Sequence, residues 1–167
     1  NLNWLNVSNW VAPYLALGHS IGRIGCFLVG DCYGYPCTYK WGVSFPDGLP
    51  PTTYYSFKSN YPEVFTKYIE SFYTTSSTIY VHPTQLYETF LYLFIFFYLV
   101  YIRNNIKYSG QVILEYLFLA GLSRFMIEYF RLNIKYYFDL SGAQLISLFM
   151  IVISACLMYK LSNKSNN

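Results

Sequence analysis

Four apolar stretches, each about as long as the hydrocarbon core of a bilayer is thick, dominate this chain, and only a handful of charges interrupt them. Val11–Val29 contains His19 and Arg23, and Leu86–Ile102 contains Glu88. Val112–Phe130 contains Glu115, Arg124 and Glu128, and Leu140–Tyr159 contains no charge. At about 1.5 Å of rise per residue, helices of these lengths span roughly 26–30 Å. Helices of a water-soluble bundle would show a stripe of Lys and Glu on the outer face, and these segments do not. The expectation is an all-α fold, a polytopic membrane bundle forming one domain over 1–167, with helix A at 11–29, B at 86–102, C at 112–130 and D at 140–159. Composition agrees, since 11% of the 167 residues are charged against about 25% in soluble domains. A chain that is 54% hydrophobic does not stay disordered. A net charge of +3 with no basic run gives nucleic acid no footprint, so no nucleic-acid partner is expected.

One long connection, 31–85, joins A to B. Within it, Val64, Phe65, Tyr68, Ile69 and Phe72 share one helical face, which predicts a short interfacial helix over 62–73. The chain opens on Asn1, and residues 1–10 lack the basic start and cleavage pattern of a signal peptide. It is expected to be the later part of a longer protein. Helices B and C cross and return, so the end of C and the start of D share the side of the long loop. On the opposite side Arg103, Lys107, Lys160 and Lys164 have no acids in their segments. The B–C loop and the C-terminus are therefore placed in the cytoplasm, and the long loop in the periplasm.

By that parity the polar residues in or beside the helices converge on one face: Arg23 and Asp31 at the end of A, His82, Gln85 and Glu88 at the start of B, Arg124, Glu128 and Arg131 at the end of C, and Ser141 and Gln144 at the start of D. Glu115 alone lies towards the other. An Arg within a spanning helix costs about 2.5–3.5 kcal/mol, several times what one Leu or Phe returns. Arg124, Glu128 and Arg131 follow the spacing i, i+4, i+7, and His19, Arg23, Cys26 and Gly30 form a second stripe. Gly18 and Gly22 form a small-xxx-small pair suited to close helix approach. Two readings stay open. Arg124 and Glu128 can be an ion pair that only fixes packing, with Arg131 snorkelling to the interface. Alternatively, the set is a functional site. If Glu128 pairs with one arginine, the remaining positive charge suits a phosphate held by bidentate contacts, and a lipid head group is the phosphate found at that depth.

Four cysteines are present. Cys26 and Cys156 read as small buried side chains. Cys32 and Cys37 have no second pair at zinc spacing, so no metal and no cofactor is expected. A Cys32–Cys37 disulfide is the alternative if the loop faces an oxidising compartment.

The run Gly22-Arg23-Ile24-Gly25-Cys26-Phe27-Leu28-Val29-Gly30-Asp31-Cys32-Tyr33-Gly34 resembles the signature of the bacterial prolipoprotein diacylglyceryl transferases, Gly-Arg-x-Gly-Asn-Phe-x-Asn-x-Glu-x-x-Gly. Three more stretches resemble the same family in the same order: Trp41–Pro46, His82–Glu88 and Arg124–Arg131, with Gly121 and Leu140–Gln144 also fitting. The resemblance covers roughly residues 10–156. It implies a multi-pass enzyme of the bacterial inner membrane that moves diacylglyceryl from phosphatidylglycerol to the lipobox cysteine of a prolipoprotein signal peptide. It implies that Arg23 and Arg124 hold the lipid phosphate and that Glu128 orients the second arginine or the head group. Asp31 stands where the family has an essential Glu. Cys26, Gly34, Gln85, Tyr87 and Arg131 would face substrate, while His82, Pro83 and Glu88 would be structural. Cys26, Val29 and Asp31 depart from the signature's Asn, Asn and Glu, and the family's His-Gly pair of an earlier helix has no counterpart here. A non-catalytic module that binds phospholipid through the same arginines is the competing reading.

Overall fold

A computed structural model of the chain describes residues 4–70, 73, 78–133, 135–137 and 140–166. Phe72 and Asp139 lie outside the described residues. About 70% of the described residues are helical. In order the elements are α1 (Trp4–Val29), α2 (Tyr54–Asn60), α3 (Pro62–Tyr68), α4 (Thr84–Ile102), α5 (Gln111–Ile127), a small antiparallel pair β1 (Lys135–Tyr137) and β2 (Leu140–Ser141), and α6 (Gly142–Asn166). Two compact units emerge. Unit 1 comprises Asn1–Gly22, Glu88–Tyr129 and Asn133–Asn167, and unit 2 comprises Arg23–Tyr87 and Phe130–Leu132.

Unit 1 is apolar outside and partly polar inside. Its core brings together Ala12 and Ala16 of α1, Tyr92, Ile95 and Leu99 of α4, and Val112 and Ala120 of α5, with Met150 of α6 against them. Small residues set the closest approaches. A Cβ added at Gly121 would stand 3.0 Å from both Ile151 Cγ1 and the Ser147 carbonyl oxygen, so α5 and α6 pack nearly backbone to backbone there. Gly18 and Gly22, expected to fill that role, have nothing within 4 Å of an added Cβ. The small residues that α1 buries are Ala12, Ala16 and Ser20, on a different face. Outward, α4 presents Phe90, Phe94, Phe97 and Tyr101, and α6 presents Ile146, Phe149 and Val152, while Glu88, Glu128, Gln144 and Ser147 are buried.

Such an inverted arrangement suits lipid, where apolar surface costs nothing to expose and buried polar groups need partners. Among the described residues, Thr84–Asn105 and Gly142–Lys164 are long and apolar enough to cross a membrane. The α5 helix stops at 17 residues, and α1 carries Asn6, Ser8, Asn9, His19 and Arg23 within its length, so neither adds to that number.

Helix ends in unit 1 are closed by side chains that hydropathy does not reveal. The α5 helix begins after the left-handed Gly110 with no side-chain cap of its own. Buried Asn9 of α1 supplies one, its Oδ1 accepting from the N–H groups of Val112 (3.0 Å) and Ile113 (3.3 Å). At α6, Ser141 and Gln144 form a reciprocal capping box: Ser141 Oγ accepts from the Gln144 N–H and Gln144 Oε1 accepts from the Ser141 N–H.

Unit 2 follows the opposite rule. Tyr33, Phe57, Phe65, Ile69, Ile79 and Val81 form a buried aromatic and aliphatic core. Thr53 caps α2, accepting from Ser56 N–H, and Pro62 starts α3. Both helices fall within the long connection. Phe65 and Ile69, from the apolar face of the expected 62–73 helix, are spent on this core, and α3 itself ends at Tyr68. The segment around 33–37 is threaded between two others. Gly34 N–H donates to the His82 carbonyl and Tyr35 N–H to the Phe130 carbonyl, both at 2.9 Å. A Cβ at Gly34 would stand 2.2 Å from the Phe130 carbonyl oxygen, so only glycine fits.

Candidate functional site

In unit 1, His19, Glu88, Arg124 and Glu128 form one connected group. Glu88 of α4, 2% exposed, receives Arg124 Nη1 of α5 at 3.1 Å and lies 3.6 Å from His19 Nε2 of α1. Arg124 Nη2 reaches Glu128 Oε2 at 3.5 Å, one helical turn on. Glu128 also accepts from Ser141 Oγ at 2.7 Å and from the Asn133 side-chain amide. His19 is stacked on Tyr92, ring centroids 3.8 Å apart. Side chains of α1, α4 and α5 and of Ser141 just before α6 are thus linked through Glu88 and Glu128.

Two consequences follow. Arg124 is held by two carboxylates, so its plane and position are fixed before any ligand arrives. Its charge also faces two carboxylates, unlike the surplus counted from sequence, because Glu88 joins Glu128 on it. Glu88 contacts His19 of α1 and Arg124 of α5 from its place on α4. His19, which the sequence places on a helical stripe without a role, brings its Nε2 within 3.6 Å of Glu88 Oε2.

Arg131 leaves the stripe predicted for helix C. The α5 helix ends at Ile127 and continues as a 3-10 turn, Glu128–Phe130. The Phe130 carbonyl is taken by Tyr35 N–H, so the chain turns away from helical pairing and Arg131 bridges Gly34 in unit 2. There it faces Tyr61, whose hydroxyl burial pushes its pKa up while the nearby guanidinium opposes the shift.

In unit 2 the end of α1 supplies the second group. Gly30 is left-handed, and the Asp31 N–H returns to the Cys26 carbonyl at 3.1 Å, closing the helix in a Schellman motif. Cys32 follows, also left-handed at φ 56°, a conformation that costs a non-glycine residue roughly 1–3 kcal/mol. The turn is held from the start of α4: Thr84 Oγ1 donates to the Cys32 carbonyl at 2.7 Å and Gln85 Nε2 to the Asp31 carbonyl. Arg23 Nη1 lies 3.8 Å from Cys26 Sγ. The ligand atoms of Cys26, Asp31 and Cys32 all lie within 4.8 Å of one another, and Asp31 Oδ1 is buried with no hydrogen-bond partner.

The other expected site residues act on backbone or rings. Gln85 and Thr84 are fully buried clamps of the Asp31–Cys32 turn. Pro83 supplies the carbonyl that accepts from Leu86 and Tyr87 at the first turn of α4. His82 Nδ1 meets the Tyr87 hydroxyl at 3.1 Å beside Phe130, and burial lowers the pKa of His82. All four cysteines are free thiols, Cys32 and Cys37 included.

The family model described as prolipoprotein diacylglyceryl transferase matches residues 1–160. The chain is 32% identical over 154 residues to the phosphatidylglycerol–prolipoprotein diacylglyceryl transferase of Clostridium tetani, covering 90% of this chain and 52% of that protein. It is 30% identical over 161 residues to the Finegoldia magna protein of the same name, covering 96% and 52%. Against the Clostridioides difficile protein of that name it is 30% identical over 167 residues, covering 100% and 55%. The chain therefore spans about half the length of the curated relatives it matches.

Proposed function

The chain belongs to the prolipoprotein diacylglyceryl transferase family, and on that premise we propose that, within the complete protein, it moves the diacylglyceryl group of phosphatidylglycerol to the lipobox cysteine thiol of a prolipoprotein signal peptide. In that reaction a C–S bond forms at the glycerol carbon, the C–O bond to phosphate breaks, and the thiol proton leaves with the glycerol phosphate product. The match over residues 1–160 carries the reading, and it favours a transferase over a non-catalytic lipid-binding module.

Arg23 and Arg124 hold the phosphate in this proposal. The double carboxylate contact on Arg124 supports its role, since a preorganised donor stabilises developing charge without reorganising. Glu128 orients Arg124, and Asp31 takes the place of the family's Glu. Cys26, Gly34, Gln85, Tyr87 and Arg131 belong to the substrate-facing shell, with His82, Pro83 and Glu88 supporting it. We further propose one membrane domain with four crossings, in the bacterial inner membrane, with the site towards the periplasm.

The test supplies full-length protein with phosphatidylglycerol vesicles and a lipobox peptide, and follows the diacylglyceryl mass on the peptide cysteine. Wild type should yield the product, and absence of product defeats the transferase reading. Arg23→Ala and Arg124→Ala should each lower the rate by at least about a hundredfold, the scale of losing one preorganised donor. Product formation that survives both substitutions defeats the site assignment.

A further inference from the structure

We propose that Cys26, Asp31 and Cys32 form a site for a thiophilic divalent cation of the zinc class. The three ligand atoms lie within 4.8 Å of one another, and a tetrahedral zinc site sets its sulfur and oxygen ligands roughly 3.5–3.8 Å apart. Contraction of about 1 Å through side-chain rotation closes the gap. The set is chemically apt: two thiols, the softest ligands a protein has, and one carboxylate.

Three further observations point the same way. Asp31 Oδ1 is buried and has no hydrogen-bond partner, the condition a bound cation would relieve. The Cys26 sulfur and an Asp31 carboxylate oxygen already lie near each other across the helix end. Arg23 Nη1 lies 3.8 Å from Cys26 Sγ. Its positive charge closes the charge balance, since two thiolates and a carboxylate around a divalent ion leave one negative charge.

The geometry explains why the spacing of the cysteines gave no such signal. Cys26 sits in the last turn of α1, and the left-handed Gly30 and Cys32 fold the chain back over it. Ligands five and six positions apart therefore converge across a helix end instead of along a knuckle. The backbone around them is fixed by Thr84 and Gln85, as a preformed site requires. Three protein ligands leave the fourth position open to water or another oxygen.

The experiment uses reduced full-length protein in detergent, titrated with Co²⁺ as an optical stand-in for Zn²⁺. One Co²⁺ should bind at this site with sulfur-to-cobalt charge-transfer absorption and tetrahedral d–d bands, and Zn²⁺ should displace it. Cys26→Ser, Cys32→Ser and Asp31→Asn should each weaken binding by at least about tenfold, the lower end of what even an outer-shell loss costs. Asp31→Asn should keep the sulfur bands at saturation, and Cys156→Ser should change nothing. A second readout needs no substitution: Zn²⁺ should slow alkylation of Cys26 and Cys32, mapped by mass spectrometry, and leave Cys156 as reactive as before. Absence of sulfur-to-cobalt absorption, its persistence in the Cys26→Ser/Cys32→Ser double variant, or equal alkylation with and without Zn²⁺ would each overturn the proposal.

Discussion

Phe94 on α4 and Phe57 on α2 are the same side chain used in opposite ways. Phe94 is 70% exposed, whereas Phe57 is wholly buried. The contrast extends through the two units. Unit 1 turns Phe90, Phe94 and Phe97 outward and buries Glu88, Glu128 and Gln144, whereas unit 2 buries Tyr33, Phe57 and Phe65. In lipid, apolar side chains give helices no reason to associate, so unit 1 relies on small residues, caps and an ion-pair group. Unit 2 is assembled by apolar burial and backbone bridges, the means of a domain that meets water.

The largest effects should come from the element each unit depends on. Phe57→Ala should cost about 3–5 kcal/mol, as deletions of buried aromatic side chains do, while Phe94→Ala should stay within about 0.5 kcal/mol. Equilibrium unfolding in detergent measures both, and equal losses would erase the distinction between the units. Arg124→Ala leaves Glu88 and Glu128 buried without their cation. A loss of about 3–5 kcal/mol is expected, with Arg124→Lys recovering only part of it because Lys lacks the guanidinium fork. A melting curve for Arg124→Ala that overlays wild type would mean that the ion-pair group does not hold unit 1.

Glycines sharpen the same contrast on a smaller scale. Gly34→Ala drives a methyl group into the Phe130 carbonyl and should cost about 1–3 kcal/mol or more. Gly18→Ala and Gly22→Ala meet open space and should be neutral or gain up to about 1 kcal/mol from helix propensity. The smallest effect concerns pH. Burial disfavours the charged form of His82 and lowers its pKa below the ordinary 6.5. Its contribution to folding is therefore complete above about 6.5 and is lost as pH falls through the lowered value. The thermal midpoint should decline on acidification from about pH 7 to about pH 5, and His82→Asn should flatten that decline. An unchanged slope in His82→Asn would show that other groups carry it.

Particular residues show what was legible before any fold was known. The apolar blocks B and D fall largely within α4 and α6, because hydropathy over twenty residues reflects a bulk property of the solvent, although α6 runs on past block D to Asn166. The ion pair Arg124–Glu128 was legible from its i, i+4 spacing. Asn9 was not, because its partners are backbone amides more than a hundred residues away. Nor was Gly34, whose necessity depends on a carbonyl brought from residue 130. The helix α2 hid in a connection whose tyrosines and serines look irregular until Thr53 caps them.

The amino-acid order alone determined that this chain is helical, suited to lipid, and a member of its family, because those properties rest on composition, period and local motif. Only the tertiary structure decided which few polar groups meet. It placed Glu88 rather than surplus positive charge beside Arg124, sent Arg131 out of its helical stripe to Gly34, and folded Cys32 back onto Cys26 and Asp31. The physical reason is range. Hydrophobicity adds along a segment and needs no partner to be read, whereas an ion pair, a cap or a close approach has no meaning until the chain has brought a second residue within a few ångströms.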